Sequence, residues 1–193
     1  MEKKSDKELM QLMAKKNKEA LRIIYRRYEI KIFNFILRLT GNMGIAQELL
    51  QETFTRIWFA SHTFDQKRGN FKAWLYTITL NLTRNEMSKK EYSYQYVNTG
   101  HIDQVPGQHQ LAESRGPNDI MEQTERHDSI LRALKKLKPH LREVILLKNF
   151  QQLKFREIAD ATRLPESTLK ARYHRAIELL KQELTTGEDN LHV

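Results

Sequence analysis

The sequence contains no cysteine, and its 193 residues include only four prolines and seven glycines. Without cysteine the chain has no disulfide, thiolate metal site or thiol nucleophile, and a reducing compartment suits such a chain. No apolar run approaches the roughly 18 residues that a membrane span needs. The N-terminus also lacks the apolar core and cleavage site of a secretory signal. We therefore expect a cytoplasmic protein with no direct membrane insertion.

Patterns typical of metal binding and catalysis are also missing. The seven histidines are scattered along the chain without HExxH or a comparable ligand spacing. The carboxylates mostly fall on predicted solvated faces and show no two-metal or acid–base spacing. We predict no metal site, no cofactor, no small-molecule substrate and no catalytic residues. An all-α nucleic-acid hydrolase is the enzymatic alternative, and these absences count against it.

The chain is strongly basic, with 33 lysines and arginines against 24 acidic residues and a formal net charge of +9. Lysine and arginine release condensed counterions when they neutralise phosphates, so such a charge is typical of proteins that bind nucleic acid. Ribosomal and simply basic soluble proteins share this composition. Charge alone therefore suggests a polyanionic partner without identifying it.

Glycine and proline concentrate in one part of the chain. Gly100, Pro106, Gly107, Gly116 and Pro117 fall close together, and helix interiors exclude that density of helix breakers. We predict a flexible linker over residues 97–117 between two domains. Extended, a linker of about 21 residues reaches about 70 Å, which is about two turns of duplex DNA.

Apolar residues on both sides of the linker recur at helical spacing. Ser5 and Glu8 form a capping-box pattern that opens a short first helix. The further helices are predicted at about 18–39, 45–60, 71–90, 118–136, 140–150, 154–161 and 166–184. We therefore predict an all-α fold of two small helical domains. Tyr92, Tyr94 and Tyr96 alternate over too short a stretch for a sheet, and they either pack the linker or stack on single-stranded DNA.

A helix-turn-helix pattern lies near the C-terminus. The short helix that begins at Phe155 precedes a tight turn around Arg163, and a longer helix follows Pro165. A buried stripe is predicted at Leu169, Tyr173, Ala176 and Leu180, and the opposite face carries Ser167, Lys170, Ala171, His174 and Arg175. Such a face fits the major groove, although it could also be an ordinary solvated face. Many such motifs have glycine where Arg163 stands.

Four segments of the second half together resemble the minus-35 domain of extracytoplasmic-function (ECF) sigma factors. They are 134–139 (LKKLKP), 142–144 (REV), 155–159 (FREIA) and 167–176 (STLKARYHRA). Three segments of the first half resemble the other domain of that family, and they are 46–54 (AQELLQETF), 71–78 (FKAWLYTI) and 81–85 (NLTRN). The resemblance spans about 18–90 and 124–184 in the family's order. It implies domains at 1–96 (region 2), 118–186 (region 4, helix-turn-helix) and a tail at 187–193.

The resemblance also implies three sets of binding residues. On the third helix, a polar face that docks the clamp helices of the polymerase largest subunit comprises Glu48, Gln51, Glu52 and Thr55. The minus-10 element is expected to contact Lys67, Arg68, Asn70, Phe71, Lys72, Asn81, Arg84 and Asn85. The minus-35 element is expected to contact Arg163, Ser167, Thr168, Lys170, Ala171, Arg172, His174 and Arg175. Ala171 stands where relatives often carry a polar residue. Without the resemblance, the acidic face could simply be solubilising and Phe71 could equally be core, whereas Trp58 and Trp74 are better interpreted as core residues.

The function implied is that of an alternative sigma factor, which directs core RNA polymerase to promoters and helps to melt the minus-10 element. Aromatic stacking, worth about 1–3 kcal/mol per base, would offset part of the cost of opening the bases. The expected partners are core polymerase (clamp helices and flap), promoter DNA and an anti-sigma factor. A transcription regulator of another class is the alternative, but its sensor domain would require a βα pattern that the first half lacks.

Overall fold

The computed structural model describes residues 1–65, 70–89 and 129–189, with side chains described up to residue 185. Over these ranges the secondary structure is helical, and no strand occurs in them. The N-terminal helices are α1 (Asp6–Ala14), α2 (Lys18–Thr40), α3 (Met43–Ala60), a 3-10 turn (Ser61–Thr63) and α4 (Phe71–Lys89). The C-terminal helices are α5 (129–136), α6 (Pro139–Ile145), a π turn (Leu146–Phe150), α7 (Phe155–Thr162) and α8 (Glu166–Asp189).

Local sequence signals fix the ends of the N-terminal helices. Ser5 and Glu8 form the predicted capping box of α1, and the side chains of Asn17 and Asn42 accept from backbone N–H groups at the starts of α2 and α3. Gly41 ends α2 with a left-handed φ of 68° while its N–H donates to the Leu37 carbonyl. Glycine adopts this conformation without steric cost, so the chain can reverse directly into α3.

The N-terminal domain packs α3 and α4 against the long α2. Phe35 and Tyr76 are fully buried at the centre, with ring centroids 5.2 Å apart in an edge-to-face arrangement. Such aromatic pairs add about 0.5–1.5 kcal/mol beyond the burial of their area. Trp58 and Trp74 are half-buried and pack against this core, as expected for structural tryptophans.

In the C-terminal domain, α8 packs against both α6 and α7. Leu169 and Ala176 are fully buried on α8, while Tyr173 packs edge-to-face on Phe155 with ring centroids 5.6 Å apart. The stripe predicted from sequence therefore faces the domain core. The buried Arg142 guanidinium donates to the carbonyls of Leu134 at 2.8 Å and Leu137 at 3.0 Å, and so ties α6 to the end of α5.

The two domains pack directly on each other, with α4 against α7 and α2 against α6. Buried apolar side chains from both domains form one cluster. Arg142 crosses the boundary and donates to the Leu39 carbonyl at 3.1 Å, near the end of α2. We refer to this packing of α6, the π turn and α7 onto α2 and α4 as the closed arrangement.

The helix bounds agree with the predicted ones to within two residues at most ends. Of the helix predicted at 118–136, residues 129–136 are described and helical, and α8 continues to Asp189, past the predicted end at 184. The linker predicted at 97–117 and Tyr92, Tyr94 and Tyr96 lie outside the described residues. Across the described ranges, no helix combines the length and apolarity needed to cross a membrane.

Candidate nucleic-acid interface

The outer face of α8 is accessible to solvent, as its sequence pattern predicts. Six of the eight side chains predicted to contact the minus-35 element are exposed, and Thr168 and Arg172 are half-buried. The six exposed residues are Arg163, Ser167, Lys170, Ala171, His174 and Arg175. The helix therefore presents a continuous basic face with hydroxyl and imidazole groups between the cations. Such groups donate to guanine O6 and N7 in the major groove and to phosphate oxygens.

Two cations of this face, Lys170 and Arg175, form exposed ion pairs on α8, and the Lys170 amine also lies 6.0 Å from the centre of the Phe155 ring. Lys170 lies 3.9 Å from Glu166 and Arg175 lies 3.2 Å from Glu178, in pairs whose side chains are all 45–62% exposed. Exposed ion pairs on one helix contribute about 0.3–0.5 kcal/mol. Both cations can therefore exchange these carboxylates for phosphate or base oxygens at little cost.

The turn between α7 and α8 adopts a conformation that favours glycine. Arg163 is left-handed, with φ 59° and ψ 31°, and its N–H donates to the Ala159 carbonyl at 2.8 Å. A non-glycine residue pays about 1–2 kcal/mol for this conformation. The unusual turn residue noted in the sequence is therefore strained, and it places a cation beside the start of the recognition helix.

The start of α4 carries part of the predicted minus-10 surface, although Lys67 and Arg68 lie outside the described residues. Asn70 caps α4 by accepting from the Ala73 N–H at 2.7 Å, and its amide nitrogen donates to the Glu157 carboxylate in α7. The Lys72 amine donates to the Gln151 carbonyl. Burial, helped by the nearby Lys31 cation, lowers the pKa of Lys72. Both side chains therefore engage the C-terminal domain.

Phe71 lies in an aromatic cluster and is only 4% exposed. Its ring contacts Tyr28, Phe64 and Trp74 at centroid distances of 5.4, 6.1 and 6.1 Å. These three rings belong to the same domain as Phe71 and leave little of its ring available to a base, so its stacking role stays a prediction. The cluster forms one wall of a cavity of about 560 Å³ that is also lined by Asp6, Asn70 and Lys72.

Farther along α4, Asn81 and Asn85 are exposed while Arg84 is half-buried. Arg84 forms a two-point ion pair with Glu143 of α6, with Nε 3.0 Å from one carboxylate oxygen and Nη2 2.5 Å from the other. The Glu143 side chain is 7% exposed. Charge-assisted bidentate bonds of this kind are among the stronger polar interactions in proteins. Arg84 is thus occupied by a carboxylate in the closed arrangement.

The polar face predicted to bind polymerase lies along a groove between α3 and α4 with a volume of about 610 Å³. It contains Glu48, Gln51, Glu52 and Thr55, three of them exposed and Glu52 half-buried. Glu52 pairs with Arg56 at 2.6 Å. The groove also contains Asn85, which was predicted to contact DNA, so the structure places Asn85 beside the predicted protein-binding face.

Sequence reasoning missed the residues that join the two domains. Glu143, Gln151 and Glu157 supply acceptors for Arg84, Lys72 and Asn70 respectively. The Tyr76 hydroxyl also donates to the Gln151 side chain, and burial raises the pKa of Tyr76. The sequence contains one signal that could have indicated these contacts. Arg142 and Glu143 interrupt the apolar run of α6, where polar side chains need buried partners.

The helical fold and the basic helix-turn-helix place this protein in the class of helical DNA-binding proteins. Residues 24–91 match the family model for sigma-70 region 2, and residues 127–180 match that for sigma-70 region 4. The chain is 31% identical over 185 residues to the ECF RNA polymerase sigma factor SigW of Bacillus subtilis, covering 92% of this chain and 96% of SigW. This chain therefore belongs to the ECF sigma factors of the sigma-70 family.

Solved structures share the fold of this chain. CnrH, solved in complex with the cytosolic domain of CnrY, has a TM-score of 0.66 at 21% identity, covering 95% of this chain and 99% of CnrH. RpoE of Bartonella quintana, solved with the anti-sigma factor NepR, has a TM-score of 0.64 at 22% identity, covering 85% of this chain and 96% of RpoE. The predicted all-α, two-domain fold is confirmed.

The family defines what the protein does. It is an alternative sigma factor that directs promoter-specific transcription initiation with RNA polymerase, and its partners are core polymerase and promoter DNA. It has no catalytic activity of its own, since sigma factors are non-enzymatic initiation factors.

Proposed function

We propose that the two DNA-reading tasks and the docking task are divided among three surfaces. The exposed face of α8 binds the minus-35 element, the surface at the start and middle of α4 binds and helps to melt the minus-10 element, and the α3–α4 groove docks the clamp helices of polymerase. The observation that carries this division is the open basic face of α8, backed by a fully buried Leu169 and Ala176.

For the minus-10 element, the proposal is supported by the kinds of side chain that line the cavity at the start of α4. Asn70 and Lys72 line a cavity that has aromatic walls at Tyr28, Phe64 and Phe71. A base that leaves the stack needs a π face and hydrogen-bonding groups to offset unstacking. Arg84 then contributes a cation to the backbone farther along α4, and Lys67 and Arg68 contribute cations from the loop before Asn70.

For the docking surface, the proposal is supported by the acidic charge of the α3–α4 groove. The groove concentrates Glu48 and Glu52 in a chain of net charge +9, and an acidic face suits a protein partner better than DNA. Leu49 and Leu82 also line the groove. A polar groove with an apolar floor fits a helix that presents a mixed face.

The domain boundaries proposed are 1–96 for region 2, 97–117 for the linker, 118–186 for region 4 and 187–193 for a tail, although α8 continues to Asp189 and so extends into the proposed tail. Both family matches fall within these bounds. We also propose a cytoplasmic location, where core polymerase works. Finally, we propose a protein antagonist of the anti-sigma class, because RpoE of Bartonella quintana was solved with the anti-sigma factor NepR. A protein that copurifies with this chain and blocks its transcription would identify that antagonist.

Run-off transcription tests the proposal as a whole. Core polymerase plus this protein, on a pool of genomic templates, should yield transcripts from a subset of promoters, and core polymerase alone should not yield them. Footprinting on one such promoter should then protect an upstream duplex and a downstream melted element. Absence of promoter-specific transcripts, or protection of one element only, would contradict the proposed division.

A further inference from the structure

A large aromatic side chain is exposed near the end of α3. Phe59 is the most exposed of the large apolar residues that the structure describes, at 65%. Its neighbour Trp58 packs against the core of the N-terminal domain. Single exposed apolar residues are common on soluble proteins, so exposure alone assigns no role to Phe59. Its position on the helix gives more information.

Phe59 continues the polar face of α3 that was predicted to bind polymerase. An α-helix turns by about 100° per residue, so Phe59 lies within about 20° of both Glu48 and Glu52 around the helix axis. Thr55 falls between them, and the intervals along the chain are four, three and four residues. We refer to Glu48, Glu52, Thr55 and Phe59 as the α3 stripe, which is about 16 Å long. Residues at this spacing contact a second helix that packs alongside the first.

The end of α3 is fixed against α1. Ser61 is buried there, and its hydroxyl lies 2.8 Å from the Trp58 carbonyl and 3.3 Å from the Met13 carbonyl of α1. The Lys16 amine lies 5.2 Å from the centre of the Trp58 ring and 5.9 Å from that of the Phe59 ring. A group on a rigid support loses less conformational freedom when it binds a partner. Phe59 is therefore already positioned for an intermolecular contact.

Charge changes sign along the α3 stripe. Glu48 and Glu52 make its first part acidic, whereas Lys16 places a cation beside Phe59 at its end. An aromatic ring next to a lysine could also stack on single-stranded DNA. The carboxylates on the same stripe would repel DNA phosphates, however, and this favours a protein partner. A helix with basic groups opposite the glutamates and an apolar group opposite Phe59 is complementary to the whole stripe.

Resting on the proposed docking role of the α3–α4 groove, we propose that the contact with polymerase extends past the groove along the α3 stripe, with Phe59 as its apolar anchor. The part of α3 that lines the groove runs from Glu48 to Arg56, so Phe59 lies about one turn beyond it. Aromatic residues are enriched in protein interfaces and bury a large area per side chain. Phe59 packs against apolar side chains of the polymerase helix and is removed from water when the two proteins bind.

The test measures the affinity of full-length variants for core polymerase by fluorescence anisotropy. Phe59→Ala removes the ring and should weaken binding about tenfold. Phe59→Leu keeps an apolar side chain and should retain most of the affinity. Because Phe59 is exposed, both variants should fold, and circular dichroism checks this.

Met43→Ala is the matched control. Met43 is 45% exposed on the same helix, but it lies about 140° from Glu48 around the axis and so is outside the α3 stripe. Its variant should bind core polymerase as the wild type does. A loss as large as that in Phe59→Ala would overturn the inference, because the effect would not depend on the stripe.

Glu52→Lys, measured in the same way, separates this inference from the proposed docking role. Weak binding by Glu52→Lys together with wild-type affinity in Phe59→Ala would overturn the inference and leave the docking groove in place. Wild-type affinity in both variants would show that the docking role itself is wrong.

Two further measurements test other occupants of the Phe59 ring. Anisotropy with a single-stranded promoter oligonucleotide should give the same affinity for wild type and Phe59→Ala, and sedimentation velocity should show both as monomers. A loss of oligonucleotide binding with unchanged core affinity would make the ring a DNA contact and overturn the inference. A wild-type dimer that Phe59→Ala abolishes, again with unchanged core affinity, would instead assign the ring to an interface between two copies of the chain.

Discussion

The two surfaces proposed to read DNA are built from similar side chains, but the one on α8 is exposed to solvent and the one on α4 contacts the C-terminal domain. On α8, Lys170 and Arg175 form ion pairs with exposed neighbours on their own helix, and the Lys170 amine also lies 6.0 Å from the centre of the Phe155 ring. On α4, Arg84 pairs with a buried carboxylate from the other domain. Exposed pairs contribute little and exchange readily, whereas a buried pair must be broken before its cation can meet DNA. The burial of the carboxylate that pairs with each cation, more than the basic charge of the surface, therefore decides how readily that surface can bind DNA.

This difference suggests an order of events. If the exposed face of α8 and the α3–α4 groove have the roles proposed for them, polymerase can assemble with the closed protein. The proposed minus-10 surface on α4 would then become available as the domains separate. Because both domains belong to one chain, binding of the first domain raises the effective concentration of the second domain at its own DNA element.

The largest expected effect tests whether the α3–α4 groove binds core polymerase. Glu52→Lys should weaken binding to core polymerase about hundredfold, because like-charge contacts at an interface cost several kcal/mol. Affinity for upstream duplex DNA should not change. Fluorescence anisotropy of labelled protein with core polymerase measures this. Glu19→Lys, at an exposed α2 glutamate paired with Arg22, is the matched control. Retained core affinity in Glu52→Lys would remove this helix from the interface.

The next effect distinguishes the role of Arg84 from that of Glu143, the two residues of the ion pair between α4 and α6. Arg84→Ala removes the ion pair and Glu143→Gln leaves at most a neutral hydrogen bond, so both should favour separation of the domains, but only Arg84→Ala removes a proposed DNA contact. Arg84→Ala should therefore bind single-stranded minus-10 DNA about tenfold more weakly than Glu143→Gln, for a contact worth about 1–3 kcal/mol. Equal affinities of the two variants, measured by anisotropy, would exclude Arg84 as a DNA contact.

On the open surface, Lys170→Ala and Arg175→Ala should each weaken upstream duplex binding by about 1–3 kcal/mol if they contact bases. A phosphate contact would instead lower the slope of log affinity against log salt by about 1. Core affinity and single-strand affinity should not change. Titrations at several salt concentrations measure this, with Lys181→Ala, at an exposed lysine farther along α8, as the control. Loss of core binding in both variants would contradict the division of labour.

The smallest expected effect concerns the strained turn. Arg163→Gly should raise the free energy of unfolding by about 1 kcal/mol, since glycine removes the cost of a left-handed φ while losing more backbone entropy on folding. Its duplex affinity should fall slightly through loss of a cation. Gln152→Gly, at another left-handed position with φ 55°, should stabilise the protein without changing DNA binding. Denaturant unfolding and anisotropy measure both. Destabilisation by Arg163→Gly would mean that the arginine side chain makes a contact worth more than the strain.

Helix positions and the exposed face of α8 could be predicted because they depend on local signals. Apolar spacing, the caps at Ser5 and Gly41, and the stripe through Leu169 and Ala176 all act within a few residues. The accessibility of Arg84 and Lys72 could not be predicted, because it depends on contacts with residues about 60–80 positions away. Phe71 shows the same limit, since aromatic residues at a helix start serve equally as core or as stacking surface.

The most direct test of the account follows the distance between the domains as polymerase binds. Because the chain contains no cysteine, Gln11→Cys and Lys181→Cys, both at exposed positions, provide two specific sites for a donor and an acceptor dye. Energy transfer should be high in the free protein and should fall clearly when core polymerase is added, with no fall when Glu52→Lys is also present. Low transfer in the free protein, or transfer that stays high in a holoenzyme active on promoters, would contradict it.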